Sequence, residues 1–184
     1  MPRTTDAPER AIQAAEHLFC TQGYAATGLI QIIEVSGSPK GSFYFHFPGG
    51  KRELALATIA AYRARTSAGF RALAEHAAGD PDKFVRVLSR TIADEMATSG
   101  WAKGCLAQTL ALELAPADAE VADAVAALFD DWVDIIVAAT RASGPPRKVR
   151  RRALALLAAL EGRVPWRASS ALLPRSRPSR TSFG

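Results

Sequence analysis

The feature that most constrains this chain is a very short helix predicted between Ser38 and Lys51, in the sequence SPKGSFYFHFPGGK. Ser38 is suited to cap it, and Pro39 suits the first helical position, where a missing N–H removes no hydrogen bond. Phe43 and Phe47 are four residues apart and are expected to face one core. A helix this short is unstable alone in water. Neighbouring helices must therefore hold it, which leaves its front end to contact something else.

The preceding segment supplies two helices that can hold the short one. Residues Arg10 to Gln22 have the apolar spacing of a helix, and Gly23 stops it. Thr27 is a good N-cap for a second helix, which the turn Ser36-Gly37-Ser38 joins to the short helix. Two short helices joined by a Gly-containing turn and braced by a first helix form a helix-turn-helix.

Many positions of this segment agree, in order and spacing, with one known family. They are Phe19, Gly23-Tyr24, Thr27, Ile32, Gly37, Pro39-Lys40-Gly41-Ser42, Tyr44, His46 and Phe47. The pattern resembles the tetracycline-repressor (TetR) family of bacterial regulators. The Pro-Lys-Gly-Ser start and the Phe-Pro-Gly-Gly-Lys end look most like its LmrA/YxaF-like branch. The motif covers roughly residues 8–60, and helix lengths extend a weaker resemblance to about residue 162.

The fold class predicted from apolar periodicity is all-α, because the chain has long helical patterns and no alternating strand pattern. A three-helix helix-turn-helix domain is expected over residues 1–50, followed by a helical-bundle domain for ligand binding and dimerisation over residues 51–162. Charges interrupt every apolar run well short of ~18 residues, so no membrane span is expected. The first residues lack an apolar secretory segment, so a cytoplasmic protein is expected.

The charge of the chain is unevenly placed. The formal net charge is +5, yet residues 1–60 carry five Lys/Arg and five Asp/Glu. Residues 146–184 carry ten Lys/Arg and one Asp/Glu, so the excess of positive charge lies at the C-terminal end. The hypothesis of DNA binding therefore depends on the helix-turn-helix and its local cations Lys40, Lys51 and Arg52, and not on the overall charge.

The resemblance implies which residues meet double-stranded DNA. Lys40 and Ser42 are expected near bases or phosphates, and Pro39 and Gly41 are expected to allow close approach. The remaining candidates, which are expected mostly at phosphates or beside them, are Thr27, Ser38, Tyr44, His46 and Lys51. His46 could instead be a metal ligand, but no second ligand stands at a supporting spacing, so neither a metal nor a cofactor is expected.

The resemblance also implies that the second domain binds a small effector and forms a homodimer. The candidate lining residues are Trp101, Cys105, Gln108, Thr109, Phe129 and Trp132. Large aromatic side chains with a few polar atoms suit an apolar or aromatic effector, although an aromatic stripe at helical spacing is more often core. Cys20 and Cys105 are expected to be buried structural thiols, with a redox-sensing Cys105 as the alternative.

The C-terminal end departs from the family pattern. The last helix, from Arg147 to Gly162, should continue and be followed by another, and these two helices build the family's dimer interface. Residues 163–184 are instead a basic Ser/Arg/Pro-rich tail, expected to be irregular because of Pro165, Pro174 and Pro178. The tail is a frame-shifted or diverged end, a basic arm that grips DNA, or disordered. In each case the homodimer could be weakened.

The function predicted from these observations is a ligand-responsive transcriptional repressor that leaves a near-palindromic operator when effector binds. An activator would meet DNA in the same way. A helical protein whose helix-turn-helix docks protein is disfavoured by the basic first turn at Lys40. An enzyme is disfavoured because the sequence has no paired acids, nucleophile motif, metal cluster or phosphate loop.

Overall fold

The computed structural model describes residues 6–141 and 144–172, with side chains described as far as residue 162. In these residues the chain forms helices and no strands, which confirms the all-α prediction. The helices are α1 (Ala7–Gln22), α2 (Leu29–Ser36), α3 (Lys40–His46), α4 (Gly50–Ala77), α5 (Pro81–Thr98), α6 (Leu106–Glu113), α7 (Ala119–Ala139) and α8 (Pro146–Leu172). None of the described helices is both long and apolar enough to cross a membrane.

The first three helices close around one end of the hydrophobic core. Phe19 of α1, Ile32 of α2 and Phe43 of α3 have 1% or less of their surface exposed, and Leu54 of α4 is equally buried. Burying such side chains contributes roughly 1.5–3 kcal/mol each. These contacts hold the seven-residue α3, as the sequence predicts.

The remaining helices form a bundle in which α4 is the shared element. It packs against α1 on one side and against α5 and α7 on the other. The core of the bundle is continuous with that of the first three helices. Asp80 caps α5 by accepting the Lys83 N–H (3.0 Å), and Pro81 opens it, as predicted. A displacement of α4 would therefore shift contacts both with the first three helices and with the bundle.

The apolar spacing after Gly100 predicts a helix from Trp101 to Leu114, but this helix begins at Leu106. Gly100 and Trp101 both have left-handed backbone, with φ of 62° and 65°, which interrupts a helix. The next residues cross towards α1, where the Gly104 N–H donates to the Cys20 carbonyl (2.7 Å). A long-range backbone contact therefore replaces the first turn that the sequence predicts.

The irregular tail predicted from residue 163 is also wrong as far as Leu172, because α8 continues to that residue. A proline in a helix interior generally costs about 3 kcal/mol, a local penalty that the rest of a long helix can offset. The Ala/Leu-rich stretch before Pro165 has high helix propensity, which favours continuation of the helix. Pro174 and Pro178 lie outside the described residues.

Candidate nucleic-acid interface and effector domain

The turn that leads into α3 is fixed from inside the molecule. Ser38 is buried, its hydroxyl donates to the Ala7 carbonyl (3.3 Å), and its N–H donates to the Ser36 hydroxyl (3.2 Å). Arg10 Nε donates to the Ser36 carbonyl (3.1 Å). Pro39 occupies the N-cap position of α3, so Ser38 is not its cap. The Ser38 hydroxyl is enclosed and already bonded within the protein, and its contact with DNA stays a prediction.

The helix α3 divides its residues between core and surface. Phe43 and Phe47 are buried with ring centroids 5.4 Å apart, as predicted. The predicted DNA-contacting residues Pro39, Lys40, Gly41 and Tyr44 are exposed, and Ser42 and His46 are half-buried. Six of the nine predicted residues therefore lie together on or beside one exposed face. The sequence analysis missed Phe45, a large apolar residue on this face that is 82% exposed.

Thr27 does not lie on this exposed face. It is 1% exposed, its hydroxyl donates to the Gly23 carbonyl (2.6 Å), and it accepts from Gln22 Nε2 (3.2 Å). Gly28 is the N-cap of α2, so the prediction of Thr27 as cap is wrong. Thr27 closes the loop between α1 and α2 through its enclosed hydroxyl, and its contact with a phosphate stays a prediction.

Two of the three local cations are engaged within the protein. Lys51 Nζ donates to the carbonyls of Tyr24 (2.9 Å) and Thr27 (2.8 Å) and lies 3.9 Å from the centroid of the Tyr24 ring. Burial lowers the pKa of Lys51, and nearby Glu113 partly opposes this. Arg52 pairs with Asp118. Lys51 therefore fastens the α1–α2 loop to α4, and its contact with a phosphate stays a prediction.

Polar bridges join the helix-turn-helix to the bundle. Glu113, at the end of α6, accepts the backbone N–H groups of Tyr24 (3.3 Å) and Ala25 (2.6 Å). Glu16 of α1 accepts from Arg65 (2.7 and 2.8 Å) and from Lys103 (3.3 Å). Three bundle segments thus hold α1 and the loop after it.

The six predicted effector residues fall into two groups. Phe129 and Trp132 of α7 belong to an aromatic cluster, and the other four lie in or just before α6. The Trp132 ring stacks on Phe70 (5.2 Å) and meets Phe129 edge-on (5.6 Å), while its Nε1 donates to Thr66 Oγ1 (3.0 Å). Tyr62 completes this cluster at 6.2 Å from Trp132. The other four candidates, Trp101, Cys105, Gln108 and Thr109, are half-buried in or just before α6.

A groove of about 290 Å³ opens elsewhere, between α4 and α7. The six effector candidates are absent from its lining. Its polar side is formed by Asp131, which pairs with Arg63 (2.7 Å) and accepts a long hydrogen bond from Ser67 (3.5 Å). Arg63 holds the pKa of Asp131 below its ordinary value. The Asp131 carboxylate of this groove is therefore already engaged by Arg63 and Ser67.

Cys105 and Glu161 form a polar site inside the bundle. Burial raises the pKa of the Cys105 thiol to about 12, which disfavours the reactive thiolate that redox sensing requires. Tyr62 Oη lies 4.0 Å from Cys105 Sγ. Glu161 Oε2 is buried without a hydrogen-bond partner, and burial raises the pKa of this carboxyl group. The sequence analysis missed Glu161, although it lies four residues after buried Leu157 on the same helix face.

Among the described residues, no group of three or more His, Cys, Asp and Glu side chains could hold a metal ion. His46 instead meets the Phe45 ring edge-on, with centroids 5.1 Å apart.

The short exposed α3, held by α1 and α2 and joined to a helical bundle, has the arrangement of a helix-turn-helix regulator. The family model "Bacterial regulatory proteins, tetR family" matches residues 11–58, and "Transcriptional regulator LmrA/YxaF-like, C-terminal domain" matches residues 81–165. The chain belongs to the TetR family of bacterial regulatory proteins, in its LmrA/YxaF-like branch. The predicted family and branch are confirmed.

Individual relatives agree with this assignment. The HTH-type transcriptional regulator LmrA of Bacillus subtilis is 56% identical over 54 residues, which are 29% of each chain. The match thus spans under a third of LmrA. An uncharacterized HTH-type regulator of Mycobacterium tuberculosis is 26% identical over 162 residues, 85% of this chain and 81% of the relative.

Solved structures of other TetR proteins share the fold. A regulatory protein TetR from Rhodobacter sphaeroides superimposes with a TM-score of 0.77 at 24% identity, over 91% of both chains. A TetR transcriptional regulator from Legionella pneumophila gives 0.80 at 16% identity, over 91% of this chain and 90% of the other. The arrangement of the eight described helices is therefore that of the family.

Proposed function

We propose that this chain is a ligand-responsive transcriptional repressor that binds a near-palindromic operator as a homodimer. The observation that carries the proposal is the surface of α3, where Lys40, Gly41 and Tyr44 are exposed together while Phe43 and Phe47 hold the opposite face. A lysine, a glycine and a tyrosine exposed on one short helix suit contact with the major groove and its flanking phosphates. Such a regulator would work in the cytoplasm.

The homodimer would pair two copies of this surface. Recognition helices about 34–36 Å apart meet successive major grooves on one side of the duplex. The face of α8 that carries exposed Leu154, Ala155, Ala158 and Ala159 is the proposed dimer surface. Domains of residues 1–50 and 51–162 would then divide the work between DNA and effector.

Release from DNA would follow from the shared helix α4. An apolar or aromatic effector beside Trp101, Cys105, Gln108, Thr109, Phe129 and Trp132 would bind better to a state in which α4 is tilted, and would shift the population away from the DNA-bound state. The unpaired oxygen of Glu161 supports an effector that also carries one hydrogen-bond donor. Activation in place of repression would use the same surface.

The experiment is fluorescence anisotropy of the purified protein on the DNA upstream of its own coding sequence, with scrambled DNA as control, across a salt series. Tight and sequence-dependent binding is expected. Weak and equal binding to both DNAs, with steep salt dependence, would contradict the proposal and leave only a basic tail gripping phosphates. Translation of the downstream DNA in the other two frames tests whether residues 163–184 are a frame-shifted end.

A further inference from the structure

Phe45 is an aromatic side chain that the fold does not use. Its exposed fraction of 82% is the highest among the large apolar side chains of the described residues. The two other phenylalanines of this segment, Phe43 and Phe47, have 1% and 5% exposed. Exposure of a large ring to water forgoes the stabilisation that burial gives. Its ring is therefore free to contact a partner outside the chain.

The position of Phe45 on α3 puts it at the centre of the surface proposed to meet DNA. Successive helical residues are rotated by about 100°, so Phe45 lies about 200° from buried Phe43, on the opposite side of the helix. Gly41 precedes it by one turn on the same side, and a Cβ placed there would meet nothing within 4 Å. The backbone at Gly41 can therefore approach a groove closely, which brings the Phe45 ring to its floor.

The neighbours of Phe45 orient its ring without covering it. The ring of half-buried His46 meets it edge-on at 5.1 Å and an angle of 85°. Tyr44 packs edge-on against Phe43 (5.6 Å) and thus lies to the side. α3 carries no acidic residue that would repel DNA.

The chemistry of the major groove leaves one partner for such a ring. Base edges there present hydrogen-bond donors and acceptors, and the apolar group among them is the C5-methyl of thymine, which apolar side chains such as Phe contact. We infer that Phe45 packs against a thymine methyl group and so selects an A·T pair at one position of each half-site. This inference rests on the proposed function.

The test removes single methyl groups from the DNA. Footprinting on the upstream DNA first defines the shortest duplex that the protein binds. This duplex is then prepared with each thymine replaced in turn by deoxyuridine, which keeps the base pair. The wild-type protein is expected to lose about fourfold in affinity per half-site at one position, the effect of one methyl group. Phe45→Ala is expected to bind the thymine and deoxyuridine duplexes equally.

Two controls separate the outcomes. Leu112→Ala removes an equally exposed apolar side chain (79%) from α6 and should keep the preference for thymine. Thermal melts show whether Phe45→Ala is folded. A wild-type protein that binds its operator specifically yet shows no deoxyuridine effect, or a Phe45→Ala protein that keeps that effect, overturns the inference alone. Absence of specific binding by the wild type overturns the proposed function and this inference with it.

Discussion

Arg52, at the start of α4, forms a two-point ion pair with Asp118, the residue that caps α7. Arg52 Nε and Nη2 lie 2.5 Å and 2.9 Å from the Asp118 carboxylate, which also accepts the Val121 N–H (3.2 Å). The guanidinium holds the pKa of Asp118 below its ordinary value. The first turns of α4 and α7 are thereby joined, so a movement of α7 reaches the helix-turn-helix through α4.

Arg52→Ala is expected to weaken the contact between the first turns of α4 and α7 without unfolding the protein. The pair is solvent-exposed and screened, so the free energy of unfolding should change little. Hydrogen–deuterium exchange should nevertheless increase in the first turn of α7. Arg90→Ala breaks the more exposed pair with Asp94 (3.7 Å) and serves as the control. Equal exchange in both variants would show that the Arg52 pair does not hold α7.

Glu113→Ala is expected to release the loop between α1 and α2. Its carboxylate accepts two backbone N–H groups, from Tyr24 and Ala25, and hydrogen bonds to charged groups are worth about 1.5–3 kcal/mol before screening by solvent. A loss of about 1 kcal/mol in urea unfolding and weaker operator binding are expected. Leu112→Ala, at the exposed neighbouring position, should change neither quantity. If the two variants behave alike, Glu113 does not position the loop.

Phe47→Ala is expected to destabilise the protein by about 3–5 kcal/mol, because it leaves a cavity beside Phe43. Phe45→Ala removes the same side chain from an exposed position and should stay within about 0.5 kcal/mol of the wild type. Thermal and urea unfolding of both variants measures the difference. A large loss in Phe45→Ala would mean that its ring is packed in solution.

Lys40→Ala and Tyr44→Phe are expected to weaken operator binding while the melting temperature stays unchanged. Lys40 is exposed on α3, and loss of one phosphate contact should lower the slope of log affinity against log salt by about 0.9 per site. Tyr44→Phe removes one hydroxyl from a side chain that is 42% exposed. Anisotropy over a salt series measures both effects. Unchanged affinity in both variants would place the DNA contact on another surface.

Glu161→Gln is expected to change how stability depends on pH. Burial raises the pKa of this carboxyl group above its ordinary value of 4.5, so the folded protein holds the proton to higher pH than the unfolded chain does. The free energy of unfolding therefore falls as pH rises from about 4.5 through the raised pKa. The variant should lack this fall and gain stability relative to the wild type towards neutral pH. Glu75→Gln, an exposed change on α4, is the control in urea unfolding at each pH.

Local signals predict most of the fold. Gly23 ends α1, and Asp80 with Pro81 begins α5, because capping and backbone freedom depend on a few adjacent residues. The start of α6 could not be predicted in this way, since residues 101–105 are set by a contact between Gly104 and distant Cys20.

The exposed face of α3 could be predicted from the sequence, and the internal roles of two candidates could not. Thr27 and Lys51 have side chains that commonly bind phosphate, yet here each bonds to carbonyls brought close by the fold. Such pairings depend on tertiary geometry. The exposure of Phe45 could have been predicted without the structure, since a residue two positions after buried Phe43 lies on the opposite side of the helix.

The separation of faces on α3 has a consequence for how regulators of this kind diversify. Positions 43 and 47 carry the packing that stabilises the domain, whereas positions 40, 41, 44 and 45 are exposed and contribute little to it. Substitutions at the exposed positions can therefore accumulate one at a time without loss of the fold. A duplicated gene can acquire a new target sequence through them, and the same positions are where a designer would randomise the protein to redirect it.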